Sequence, residues 1–155
     1  MTYRILGLDP APFAGLFGKS DAALAALGAR RMIAHAKSGF PDRVELRDAE
    51  PGEAVILVNF EHQPAATPFR ASHAIFVIEG ARTRFDRVGD LPPVMATRVM
   101  SLRAFDADGM MTDAALASGA ELEPSIERLL DAPDVAYLQA HYATRGCYAA
   151  RIERA

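Results

Sequence analysis

The chain has one cysteine, Cys147. No intramolecular disulfide can form, which excludes the disulfide-stapled secreted scaffolds and points to a reducing compartment. Long apolar runs are also missing. Residues 54–58 and 74–78 are purely apolar, and no such stretch exceeds six residues, far short of the roughly 18 residues a membrane span requires. The first eight residues hold a single basic side chain, and Asp9-Pro10 interrupts them, so no signal peptide is expected. Charge of one sign is not concentrated anywhere: 17 Lys and Arg face 20 Asp and Glu, for a net charge of −3. A nucleic-acid partner would call for a clustered basic face. A cytoplasmic protein with no nucleic-acid and no membrane partner is the expectation. Signature motifs are absent too. There is no G-x-G-x-x-G, P-loop, G-x-S-x-G, H-E-x-x-H or C-x-x-C, so dinucleotide, Walker-type phosphate, α/β-hydrolase and spaced-ligand metal chemistry have no motif behind them.

What is present is an ordinary globular composition. Half of the 155 residues are apolar and 24% are charged, enough to build a core without staples. With no repeat and no low-complexity linker, residues 1–155 read as a single domain. A short β-like opening holds Tyr3 and Ile5. A brief helical segment follows over residues 13–17, and Ser20-Asp21 offers an N-cap to the helix-forming run 22–27 that Gly28 can end. Residues 43–47 alternate charged and apolar side chains, as a half-exposed strand does. Residues 53–62 and 73–79 are β-branched and apolar on both faces, which predicts central strands covered on both sides.

Three hairpins can be drawn. Pairing Phe60 with Ile75 and Val58 with Val77 would set His62 against His73. The turn Asp106-Ala107-Asp108-Gly109 would pair Arg103 with Asp113 and Phe105 with Met111. A turn at Thr144-Arg145-Gly146 would pair Tyr142 with Tyr148, Ala140 with Ala150 and Leu138 with Ile152. Pro124 and the stripe Ile126, Leu129, Leu130 predict a short helix around residues 123–131. The fold class expected is therefore α+β: a largely antiparallel sheet built from hairpins, with a few short helices near the N-terminus and around residues 123–131.

Polar chemistry is densest between the two central strands. Long ordered loops carry function disproportionately. Here Arg70 can hold a carboxylate or phosphate, Asn59, Glu61 and Ser72 can hydrogen-bond a guest, and His62 and His73 can serve as acid and base, with His141 approaching from the last hairpin. The plainer alternative is a proline-stiffened loop whose histidines have satisfied hydrogen bonds. A metal held by His62, His73, His141 or Glu61 lacks any spaced motif, so no metal and no cofactor are expected. Cys147 reads as a small buried thiol. Asp106, Asp108 and Asp113 read as hairpin residues, not a calcium loop.

Several stretches together carry a family resemblance. They are Tyr3-Arg4-Ile5-Leu6-Gly7-Leu8, Asp48-Ala49-Glu50-Pro51-Gly52-Glu53, the loop from Glu61-His62-Gln63-Pro64 to Arg70-Ala71-Ser72-His73, Arg103-Ala104-Phe105-Asp106-Ala107-Asp108-Gly109-Met110, and Arg145-Gly146-Cys147-Tyr148-Ala149. Over nearly its whole length the chain resembles the bacterial domain-of-unknown-function family 1203. That resemblance implies no activity and transfers no catalytic residue. Two functional readings stand side by side: a domain binding a small anionic ligand, extending to an acid/base enzyme, and a noncatalytic interaction module acting as a homo-oligomer.

Overall fold

The computed structural model describes residues 2–155. The β-branched runs become strands and the short amphipathic runs become helices. In chain order these are β1 (Tyr3–Leu6), α1 (Ala11–Ala14), α2 (Asp21–Ala26), β2 (Arg30–Ile33), β3 (Ala54–Gln63), β4 (Ala71–Ile78), β5 (Asp86–Val88), α3 (Pro93–Ala96), β6 (Met100–Phe105), β7 (Met111–Ala117), α4 (Leu122–Asp131), β8 (Tyr137–Tyr142) and β9 (Tyr148–Arg154). Strands β5-β1-β9-β8-β6-β7 form a six-stranded sheet and β2-β3-β4 a three-stranded one. Every strand pairing is antiparallel. The fold is α+β.

Ser20 caps α2 by accepting the backbone N–H of Ala23 at 3.1 Å, the role its place before a run of helix formers predicts. Helix α4 lays Leu122, Ile126, Leu129 and Leu130 on one face of the six-stranded sheet, against Met100, Leu102, Leu138, Ala140 and Ile152. Each such side chain is worth about 1.5–3 kcal/mol when fully buried. Arg154 at the end of β9 closes this layer, donating to the carbonyls of Leu130, Ala132 and Val135 just past the helix. In the smaller sheet, Val55 and Ile56 point to opposite faces and both are buried, one packed with Phe40 and Val44 and the other with Leu24 and Ala29.

Four expectations need correcting. Residues 43–47 do not form a strand. Asp42, fully buried, accepts the N–H groups of Val44 at 3.1 Å, Glu45 at 2.5 Å and Ile78 at 2.7 Å, which offers the backbone a local alternative to a ladder. The segment threads inward instead, and Gly7 makes room for it. A Cβ there would collide with the Val44 carbonyl. Second, β3 and β4 pair with Val58 opposite Ile75 and Phe60 opposite His73, and an irregularity between Glu61 and Gln63 carries His62. β3 runs one residue and β4 two residues farther toward the loop, which is itself held by the Thr67 hydroxyl donating to the Gly109 carbonyl at 3.3 Å.

Third, in the β6–β7 hairpin Phe105 does oppose Met111, but a register shift puts Asp113 opposite Ala104 and frees it for Arg128 of α4 at 3.3 Å. Fourth, β8 and β9 keep the expected pairs Leu138–Ile152, Gln139–Arg151 and Ala140–Ala150, after which a bulge sets His141 against Tyr148. Gly146, at φ 79°, takes the left-handed turn position, open to glycine without a steric penalty. Both strands of this hairpin are paired on their outer sides as well, β8 to β6 and β9 to β1. The hairpin therefore offers no edge for self-association.

Candidate functional site

Strand alternation sends His141 and Tyr142 to opposite faces of β8, and two different environments result. On the side facing β3, Gln139 bridges two imidazoles. Its side-chain oxygen lies 2.9 Å from His62 Nδ1 and 3.0 Å from His141 Nε2, and its amide nitrogen donates to the His62 carbonyl at 2.8 Å. His141 Nδ1 lies 3.0 Å from the Gly146 carbonyl. Tyr148 stacks on His62 with ring centroids 5.7 Å apart, and Gln63 donates to the Tyr137 hydroxyl at 2.8 Å. Burial holds both histidines toward the neutral form, His141 down to about 3, where the nearby Arg103 charge adds to the effect. A neutral imidazole donates only once. A neutral His141 can therefore donate to the Gly146 carbonyl or to the Gln139 oxygen, but not to both at once.

Tyr142 instead lines a cavity of about 550 Å³. Met32, Leu57 and Phe76 of the smaller sheet form its apolar wall. Arg43, Arg98, Tyr142, Arg145 and Cys147 form the polar one, and no acidic side chain lines it among the described residues. Arg43 is 1% exposed, yet no carboxylate pairs with it among the described residues. It donates from Nε to the Tyr148 carbonyl at 2.7 Å, from Nη1 to the Pro41 carbonyl, and from Nη2 to Cys147 Sγ at 3.1 Å. Buried charges normally have a counter-ion. Its guanidinium lies 4.9 Å from the centre of the Tyr142 ring, and that of Arg98 lies 5.4 Å from it. Arg98 is held by Asp48 at 2.7 Å and by the carbonyls of Ser38 and Val94.

The Tyr142 hydroxyl is buried with no hydrogen-bond partner among the described residues. Burial raises its pKa to about 12 against the pull of the two arginines. Native structures rarely leave such a group unpaired without a reason, such as a catalytic role or a bound water or ion.

The residues singled out from sequence separate. His62 and His141 meet, with ring centroids 4.8 Å apart, in the knitted cluster. His73 lines the cavity and bonds the Ala74 carbonyl through Nδ1 at 3.0 Å. Arg70 and Glu61 form an exposed ion pair at 3.0 Å, while Asn59 and Ser72 lie exposed on β3 and β4. Sequence reasoning missed Arg43, whose alternating neighbours imitate a surface strand. It placed Cys147 as a buried thiol, whereas the side chain is half-buried in the cavity wall. The groups His62, His73, His141 and Glu61 do not gather: no cluster of three or more metal-ligating side chains exists among the described residues. No helix of the described residues is long and apolar enough to cross a membrane.

Residues 39–154 match the model of a family described as a protein of unknown function, DUF1203. The chain belongs to the DUF1203 family. The match takes in the arginines, His73, Tyr142 and Cys147 of the cavity and the whole histidine cluster. Among curated proteins, this DUF1203 chain is 34% identical over 98 residues to a protein named GTP cyclohydrolase FolE2 from Dinoroseobacter shibae, covering 59% of this chain and 26% of that relative. The chain thus spans about a quarter of the length of the relative it matches. No solved structure matches it.

Proposed function

We propose that this DUF1203 protein binds a small organic anion in the cavity between the smaller sheet and the β8–β9 turn. The observation that carries the reading is the charge of that cavity: three arginines line it, and among the described residues no acid does and none supplies a counter-ion to the most buried of them, Arg43. Arg43 acts through its field, since it is almost wholly enclosed, while exposed Arg145 is free to take a carboxylate or phosphate directly. Met32, Leu57 and Phe76 fit an apolar body, so the ligand is an anionic head on an apolar or aromatic frame. The volume lies within the range of small-molecule sites. His73, on the rim beside Ala74, is the imidazole placed to exchange a proton with such a guest.

Anions bound to the folded state alone raise its stability by mass action. Benzoate, citrate, pyrophosphate and GTP, the last because the curated relative is named for it, are the probes. At least one is expected to raise the melting temperature in a concentration-dependent way and to give a calorimetric isotherm that Arg145→Glu weakens. If none of the four binds, or if Arg145→Glu leaves binding intact, the anion site is elsewhere or absent.

A further inference from the structure

We propose that the anion taken by this cavity is a monocarboxylate on an unbranched aliphatic chain. The inference rests on the anion-binding reading and names its ligand class. The free donors of the wall limit the charge of the ligand. Arg98 spends its two Nη atoms on both oxygens of Asp48 and on the carbonyls of Ser38 and Val94, so its charge is neutralised as well. Arg43, almost wholly enclosed, donates from all three nitrogens to the Tyr148 and Pro41 carbonyls and to Cys147. One guanidinium is left, that of Arg145, exposed on the turn and with no bond to another side chain among the described residues. A single fork of this kind matches one carboxylate bidentately. A di- or triphosphate would bring two or more charges to that one open partner.

The opposite wall sets the body of the ligand. Leu57 of β3 lies opposite Phe76 of β4, and Met32 of β2 lies opposite Val55, two residues before Leu57. Strand alternation therefore puts Met32, Leu57, Phe76 and Ala74 on one face of the smaller sheet, and all four line the cavity. They make an apolar stripe across three strands, about 10 Å at the usual strand spacing. An aromatic guest finds little to stack on. The Phe76 ring packs against Phe40 with centroids 5.3 Å apart, and both Arg43 and Arg98 lie over the Tyr142 ring, so neither ring offers two open faces to a planar group. Leu57 and Met32 present alkyl surface instead, and the unbranched methionine adapts to a flexible chain.

The test is a calorimetric series on the full chain with butyrate, hexanoate, octanoate, suberate and octanol, all below any micelle-forming concentration. Burying one methylene tightens binding about fourfold, so octanoate is expected to bind on the order of a hundredfold more tightly than butyrate, with a negative heat-capacity change. Suberate replaces the terminal methyl with a second carboxylate, and octanol lacks the carboxylate; each is expected to bind roughly tenfold or more weakly than octanoate. Met32→Ser, on the edge strand β2, is expected to flatten the chain-length series and leave butyrate affinity unchanged. Arg145→Glu is expected to weaken all three monocarboxylates alike and keep the slope. Equal affinities for butyrate and octanoate overturn the inference, as does suberate or octanol matching octanoate, and the wild-type series decides this even if Met32→Ser fails to fold. A slope that the folded Met32→Ser protein retains in full places the chain elsewhere and overturns it too. If citrate or benzoate binds through Arg145 while the series has no slope, only the aliphatic assignment falls; if no anion of either set binds, both readings fall.

Discussion

His141 and Tyr142 are consecutive residues of one strand, and the protein treats them in opposite ways. His141 is wholly enclosed, contacted at both ring nitrogens and tied through Gln139 to His62. Tyr142 is nearly as enclosed but is covered by two guanidinium groups and has an unpartnered hydroxyl. On the first face polar side chains join the two sheets, and little capacity remains for a guest. On the second, polar groups converge with capacity left over beside an open volume. The contrast separates polar burial that builds a fold from polar burial that prepares a site.

If that division is right, cutting the network on the histidine face should harm stability and spare ligand binding. Gln139→Leu strips both imidazoles and the His62 carbonyl of their shared partner, and buried groups left unpaired cost about 1–3 kcal/mol each. A loss of about 3 kcal/mol in urea denaturation is expected, with anion affinity in the cavity unchanged. A loss of affinity equal to the loss of stability would show the two faces to be one unit.

Acidification probes the same face more gently. The folded-state pKa of His141 lies at about 3, below its ordinary value of 6.5. Between those values the unfolded chain takes up a proton that the folded chain refuses, so stability is complete above pH 6.5 and falls as the pH drops toward 3. The expected slope is up to about 1.4 kcal/mol per pH unit, and His141→Gln should flatten it. A flat wild-type profile would mean that the imidazole is cationic in the fold, the form that lets both nitrogens donate to Gly146 and Gln139.

On the cavity face the expected balance is reversed. Arg43→Met removes bonds to two carbonyls and a sulfur, but it also removes a buried charge that has no counter-ion, and these terms offset in part. Anion affinity should fall roughly tenfold, about 1.4 kcal/mol, as read by calorimetry. The change in unfolding free energy should be smaller than that of Gln139→Leu. A variant that unfolds more readily than Gln139→Leu would make Arg43 a structural keystone instead.

Which of these features could be seen in the sequence follows from the range of the interactions. Apolar periodicity and turn chemistry are local, so β3, β4, α4 and the pairs Leu138–Ile152 and Ala140–Ala150 were legible. The bulges near Glu61 and after Ala140 were not, because each answers to packing from another element, and neither was the two-residue difference in β3–β4 register that sets Phe60 instead of His62 opposite His73. His62 and His141 were both marked as polar residues of interest, but their bridge is Gln139, an ordinary residue of an alternating strand. Arg43 was hidden most deeply. Its burial depends on Asp42 folding the backbone inward and on Gly7 giving it space, relations across the chain that no residue pattern displays.

The smallest expected effect is the most diagnostic. Tyr142→Phe deletes one oxygen that nothing in the protein bonds and leaves the ring between Arg43 and Arg98. A buried polar group without a partner is a debit to the fold, and its removal should leave stability unchanged or raise it by about 1 kcal/mol, whereas removing a satisfied tyrosine hydroxyl lowers stability by a similar amount. Anion affinity should move the other way, falling if the hydroxyl donates to the bound guest. Stability and binding would then change in opposite directions through a single atom, which a purely structural side chain cannot do. If Tyr142→Phe instead destabilises the protein and leaves affinity untouched, the hydroxyl is satisfied by ordered water and belongs with His141 among the groups that hold the fold.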